Sequence, residues 1–121
     1  MLWKKTSTMS EILQNRLQTI LEALELIERR MTNIQKADDF VDTEEGILIM
    51  DAIAIRLQVI GESTKKINDQ FPDYLPSKGI DPKPIIRFRD FISHHYDEAD
   101  YEVLYEICTQ HLPMLKSQLS A

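Results

Sequence analysis

Between Leu13 and Ile34 an apolar residue recurs at steps of three and four, and from Ile47 to Ile60 nearly every position is apolar. No other feature constrains the fold as strongly. The first run, Leu13, Leu17, Ile20, Leu21, Leu24, Ile27, Met31 and Ile34, has the period of a helix that buries one stripe. Its other face carries Gln14, Arg16, Gln18, Glu22, Glu25 and Arg29. Ser10, before Glu11, is the N-cap candidate, and the helix is expected to end near Lys36. "ADDFVDTEEG" is the connection, with Asp42 or Thr43 capping a second helix whose first turn is acidic. That helix continues through "GESTKKINDQ". A strand over "GILIMDAIAI" is compatible with its β-branched residues, but length and the lack of a partner strand favour the helix.

The prolines divide the rest. Pro72, Pro76, Pro82 and Pro84 fall in or beside "FPDYLPSKGIDPKP", read as a loop with a short turn at Asp73 to Leu75. Asp81 followed by Pro82 opens a third helix, expected to run to about His95. "YDEAD" is a break. A fourth helix from about Tyr101 carries Leu104, Ile107, Cys108, His111, Leu112 and Leu115 at helical spacing, and Pro113 should kink it or mark a boundary. The expectation is an all-α, up-and-down four-helix bundle over residues 1–121, one domain by its length.

The second helix is too apolar for a helix with one wet side. Either it has a second buried surface, most simply a homodimer interface, or it is central and covered by its own bundle. The pattern leaves both open.

A net charge of −6 argues against broad, non-specific nucleic-acid binding, which needs a basic surface. Lys83, Arg87 and Arg89 still form a local positive cluster. The single cysteine, Cys108, excludes an intrachain disulfide and reads as a small core residue. No stretch approaches the roughly 20 apolar residues of a membrane span, and "MLWKKTSTMS" has no apolar run after its lysines. A cytoplasmic protein is expected.

Against this background "RDFISHHY", Arg89 to Tyr96, is unusual. On an ideal helix Arg89 and Tyr96 share a face, as do Arg87 and His94, while Arg89 and His94 lie ~140° apart. Asp90 and His94 are four apart and can hydrogen-bond, which would fix the imidazole tautomer or favour its charged form. Ile85, Phe88, Phe91 and Ile92 hold the helix in the bundle. An imidazole can move a 2′-hydroxyl proton, a guanidinium can stabilise charge on phosphorus oxygens, and a tyrosine can stack on a base. That combination suits phosphodiester chemistry on RNA. His94 and His95 are adjacent, without the i, i+4 spacing of a helical metal site, so neither metal nor other cofactor is expected. The plainer reading is that histidines near a helix carboxyl end favour the dipole, that the arginines pair with nearby acids, and that Tyr96 packs at the bundle end. His111, on the apolar stripe, reads as a core or boundary residue.

"RDFISHHY" resembles the Arg-x4-His-x-Tyr motif of the HepT-like toxins of the HEPN superfamily. "VIGESTKKI" resembles the family's Ile-Gly-Glu segment, and "YEVLYEICTQHLPML" its last helix. The resemblance spans nearly the whole chain. It implies a HEPN-like helical bundle that dimerises, with two motifs facing a shared cleft, and a metal-independent endoribonuclease acting as a toxin. It also implies a minimal nucleotidyltransferase antitoxin that transfers AMP to the motif tyrosine. Arg89 then takes the motif arginine, His94 the histidine and Tyr96 the modified tyrosine. Asp90 takes the polar position after the arginine, and His95 a variable one. Arg87-x6-His94 is a competing match: helical phase favours Arg87, the surrounding pattern Arg89, and Arg89 is taken. A HEPN-type module that binds nucleotide or partner without cutting is the alternative.

Overall fold

In the computed structural model, which describes residues 8–95 and 100–121, the side chains of 91–95 excepted, the described chain is helical and has no strand. The long elements are α1 (Met9–Arg30), α2 (Glu44–Gln70) and α4 (Pro82–His95), with a short α3 (Tyr74–Ser77) between the last two. A final segment runs as α5 (Tyr101–Glu106), a π turn (Ile107–His111) and α6 (Leu112–Ser120). This is the expected all-α architecture.

The cap of α1 lies two residues before the expected one. Thr8, not Ser10, is the N-cap: its hydroxyl accepts from the Glu11 backbone N–H at 3.1 Å, and the Glu11 carboxylate accepts from the Thr8 N–H at 3.2 Å. This reciprocal box satisfies two otherwise orphaned donors and holds the Glu11 carboxyl below its ordinary range. Leu17, Ile20, Leu24, Ile27 and Ile34 of the expected stripe are buried. The regular helix nevertheless ends at Arg30, short of Lys36. Beyond it the chain tightens into a 3-10 turn at Met31–Asn33, and the Asp39 carboxylate then accepts from the backbone N–H groups of Gln35 (2.8 Å) and Lys36 (3.2 Å). Those bonds give the backbone an alternative to continuing the helix.

The connection is not an idle loop. Phe40 is fully buried within it, edge-on to Tyr105 at 6.3 Å between ring centres. The Tyr105 hydroxyl donates to the Gln35 carbonyl, and that of Tyr101 to Asp38, both at 2.9 Å. α2 opens on Thr43, whose hydroxyl accepts from the Gly46 N–H at 2.9 Å. Gly46 is obligatory there for space: a Cβ on it would lie 2.0 Å from the Asp39 carbonyl oxygen. Gly46→Ala should therefore lower stability by about 1–3 kcal/mol, the usual range for overpacking a filled site. Thermal unfolding checks this, and an unchanged Tm would contradict the contact.

α2 lies between α1 and α4. It is antiparallel to α1, as the bond from Arg16 near the start of α1 to Gln70 at the end of α2 (2.8 Å) requires. Met50, Ile53, Ala54, Leu57, Ile60, Gly61, Thr64 and Ile67 face the core. On the opposite side Leu48 and Ile55 stay 64% and 59% exposed, with Ala52 and Val59 half-buried in the same stripe. Within the described chain, then, α2 is not covered all round.

The last segment absorbs Pro113 by widening rather than by a break. Proline has no N–H to return to the Thr109 carbonyl. The turn before it opens to π geometry, and the Leu112 N–H bonds the Ile107 carbonyl. No described helix is long and apolar enough to cross a membrane.

Candidate functional site

α4 is the element that carries the candidate chemistry, and its placement starts at its first residues. The Asp81 carboxylate accepts from the Lys83 N–H at 3.0 Å, and Pro82 supplies a preset φ at the first helical position. Ile85 and Phe88 are buried and fix the helix against the core, as the sequence suggests. Phe91 and Ile92, expected to do the same, have side chains outside the described residues.

Of the positive cluster, Lys83 and Arg87 are exposed. Arg89 differs: its side chain is only 31% exposed, and its guanidinium lies 3.6 Å from a carboxylate oxygen of the more exposed Asp90. At that distance this is a loose ion pair that orients rather than locks, and exposed pairs of this kind contribute only about 0–1 kcal/mol. The structure thus brings Arg89 and Asp90 together and leaves Arg87 in solvent. The backbone of His94 and His95 forms the last turn of α4. Their side chains, the expected Asp90–His94 hydrogen bond and Tyr96 lie outside the described residues.

One neighbour of the site has no chemistry of its own. Gly61, in the middle of α2, sits directly against α4. A Cβ on Gly61 would lie 2.8 Å from the Arg89 Cβ, 3.2 Å from the Arg89 backbone nitrogen and 3.4 Å from the Ile85 carbonyl oxygen. In the sequence it stands within the Ile-Gly-Glu segment, as a glycine inside a helical pattern with nothing to mark its neighbour.

Other flagged residues fall to plain roles. Cys108 is buried, and burial pushes its thiol up to about 12, so it is not a thiolate at neutral pH. It lines an apolar cavity of about 220 Å³ with Leu24, Ile27, Met31 and Leu112. His111 is an exposed boundary residue whose ring lies 6.2 Å from that of Phe88. Among the described residues no three His, Cys, Asp or Glu side chains converge on a possible metal position.

The model of the family described as "Ribonuclease HepT-like" matches residues 20–121. A relative in Thermococcus cleftensis, "Probable ribonuclease HepT", is 31% identical over 102 residues, covering 84% of this chain and 87% of the relative. "Putative RNase MJ1380" of Methanocaldococcus jannaschii is 28% identical over 95 residues, 71% of this chain and 85% of that protein. "Gamma-glutamylcyclotransferase and putative RNase MJ0434" of the same organism is 29% identical over 100 residues, 83% of this chain but 42% of the relative. No solved structure matches.

Proposed function

This chain belongs to the HepT-like ribonuclease family, and from that premise we propose that it is a metal-independent endoribonuclease, the toxin half of a toxin–antitoxin pair. The observation that carries the reading is the half-buried Arg89 side chain at the start of Arg-x4-His-x-Tyr, on a helix seated tightly against the core. His94 takes the proton of a 2′-hydroxyl as its oxygen attacks the adjacent phosphorus. Arg89 stabilises the charge that gathers on the non-bridging oxygens. As the P–O5′ bond breaks, the 5′-oxygen takes a proton from the His94 imidazolium or from solvent, and the 2′,3′-cyclic phosphate remains. Asp90 and Arg87 are supporting groups that orient the helix end and hold backbone phosphate, with His95 beside them. No step calls for a metal ion.

The chain works as a homodimer. On one ideal helix Arg89 and His94 do not converge, whereas two copies related by a two-fold axis can each supply one of them to a shared cleft. The uncovered Leu48–Ile55 stripe of α2 is the surface that supports this assembly. A minimal nucleotidyltransferase is the proposed antitoxin, and Tyr96 its target. AMP on that phenol adds bulk and negative charge where the RNA phosphate must sit.

The test has two parts. Purified protein should cut single-stranded RNA in the presence of chelator. ATP and the partner transferase should then add the mass of one AMP to the parent but not to Tyr96→Phe, and should stop cleavage by the parent alone. Cleavage undiminished in fully modified protein would remove Tyr96 as the point of control. The net charge of −6 favours the second reading, a dimer that binds nucleotide or partner without cutting. Nucleotide binding without cleavage of any RNA would select it.

A further inference from the structure

We infer that Gly61 is a positioning residue for Arg89: the missing side chain in the middle of α2 sets how deep α4 sits, and so where the guanidinium is presented. The inference rests on the ribonuclease reading for its kinetic half and on geometry alone for its structural half. Along its core face α2 buries the bulky Met50, Ile53, Leu57, Ile60 and Ile67 beside the smaller Ala54 and Thr64. Gly61 has no side chain at all at the point where α4 passes. The atom nearest its absent Cβ is the Arg89 Cβ, at 2.8 Å. That atom is the root of the arginine side chain and cannot swing away as a flexible tip could. The next two are backbone atoms of α4, the Arg89 nitrogen at 3.2 Å and the Ile85 oxygen at 3.4 Å. A methyl group at position 61 must therefore displace the backbone that carries Arg89. Because Arg89 is only 31% exposed, its side chain has limited freedom to make up the shift. An arginine that acts on the transition state is sensitive to such a displacement, since misplacement by ~1 Å can lower a rate by about 10²-fold.

Gly61→Ala should keep the helical fold and lower kcat for RNA cleavage by roughly 10–100-fold, with KM within about twofold. Ile67→Val, a core substitution on the same helix away from Arg89, serves as the control. It should lose stability without losing kcat at temperatures where it is folded. A kcat for Gly61→Ala equal to the parent's, or a loss no greater than its unfolded fraction, overturns the positioning role.

A thermal-stability cycle tests the contact without any appeal to activity. Alanine is the better helix former, so a lower Tm for Gly61→Ala already reports a clash. Adding Arg89→Gly removes the Cβ it meets and should recover part of that loss. Adding Arg89→Ala keeps the Cβ and should recover none. Strict additivity in both pairs overturns the contact. A parent that cuts no RNA overturns the ribonuclease reading and the kinetic half with it, and the cycle still decides the contact by itself.

Discussion

Alanine at His94 should lower RNA cleavage by roughly 10²–10⁴-fold, the usual contribution of a positioned general acid or base. Alanine at Arg89 should lower it by roughly 10²–10³-fold, as for loss of one donor to a developing oxyanion. Both losses should fall mainly on kcat, because in the proposed mechanism both groups act most strongly when charge has moved in the transition state. The fold should survive the arginine change. The Arg89–Asp90 pair is loose, at 3.6 Å with Asp90 57% exposed, so its removal shifts stability by only about 0–1 kcal/mol. Arg87→Ala is the informative companion. Arg87 is exposed and lies off the α2 contact that seats Arg89. It should weaken RNA binding, seen as a higher KM and a shallower salt dependence, and leave kcat nearly intact. A kcat loss at Arg87 with none at Arg89 would transfer the motif arginine to position 87.

The second large effect concerns assembly. Leu48→Glu together with Ile55→Glu should convert a dimer to a monomer and remove cleavage with it. Each side chain is mostly exposed in the single chain, and burying an aliphatic side chain of this size contributes about 1.5–3 kcal/mol. In a two-fold interface every substitution counts twice, and each new carboxylate must be desolvated without a partner. The single chain should stay folded, because its core uses the other face of the helix: Ile53, Leu57 and Ile60 are fully buried there. Sedimentation or scattering reads the mass. Mixing two inactive variants reads the site. If each cleft takes Arg89 from one copy and His94 from the other, a mixed dimer of Arg89→Ala and His94→Ala keeps one complete cleft and regains activity. With each site built within one copy, no mixture recovers. A doubly substituted protein that stays dimeric would place the interface elsewhere.

Much of the fold is legible in the order of residues. The second helix is bounded by Thr43 and Gln70, as its cap and its apolar run indicate. α4 spans Pro82–His95 because aspartate-proline and the buried Ile85 and Phe88 mark it locally. The misreadings have local causes too. Ile34 continues the period of α1 and is buried, so apolar spacing extends the helix past Arg30. The Thr32 hydroxyl donating to the Arg29 carbonyl and the Asp39 carboxylate bonding to the Gln35 and Lys36 N–H groups favour an earlier end, and such bonds leave no periodic trace. Phe40 sits among acids in what reads as a connection, yet it is fully buried, because Gly46 lets that connection lie flat on the first turn of α2. Pro113 announces a disturbance but not its form, a π turn one step earlier.

The candidate site divides in the same way. Arg89, His94 and Tyr96 stand out by residue type and spacing. The seat of Arg89 does not, since the contact with Gly61 joins positions 28 apart in the chain. A helical glycine read alone is merely a weak helix former.

The most direct measurement is cleavage of a panel of single-stranded RNAs by purified protein in chelator, beside His94→Ala of matched helical content. Cutting by the parent and not by the variant is the expected result, and it places metal-free ribonuclease chemistry at the end of α4. Cutting that survives in His94→Ala, or a parent that cuts nothing while its Tyr96 is confirmed unmodified by mass, would contradict it.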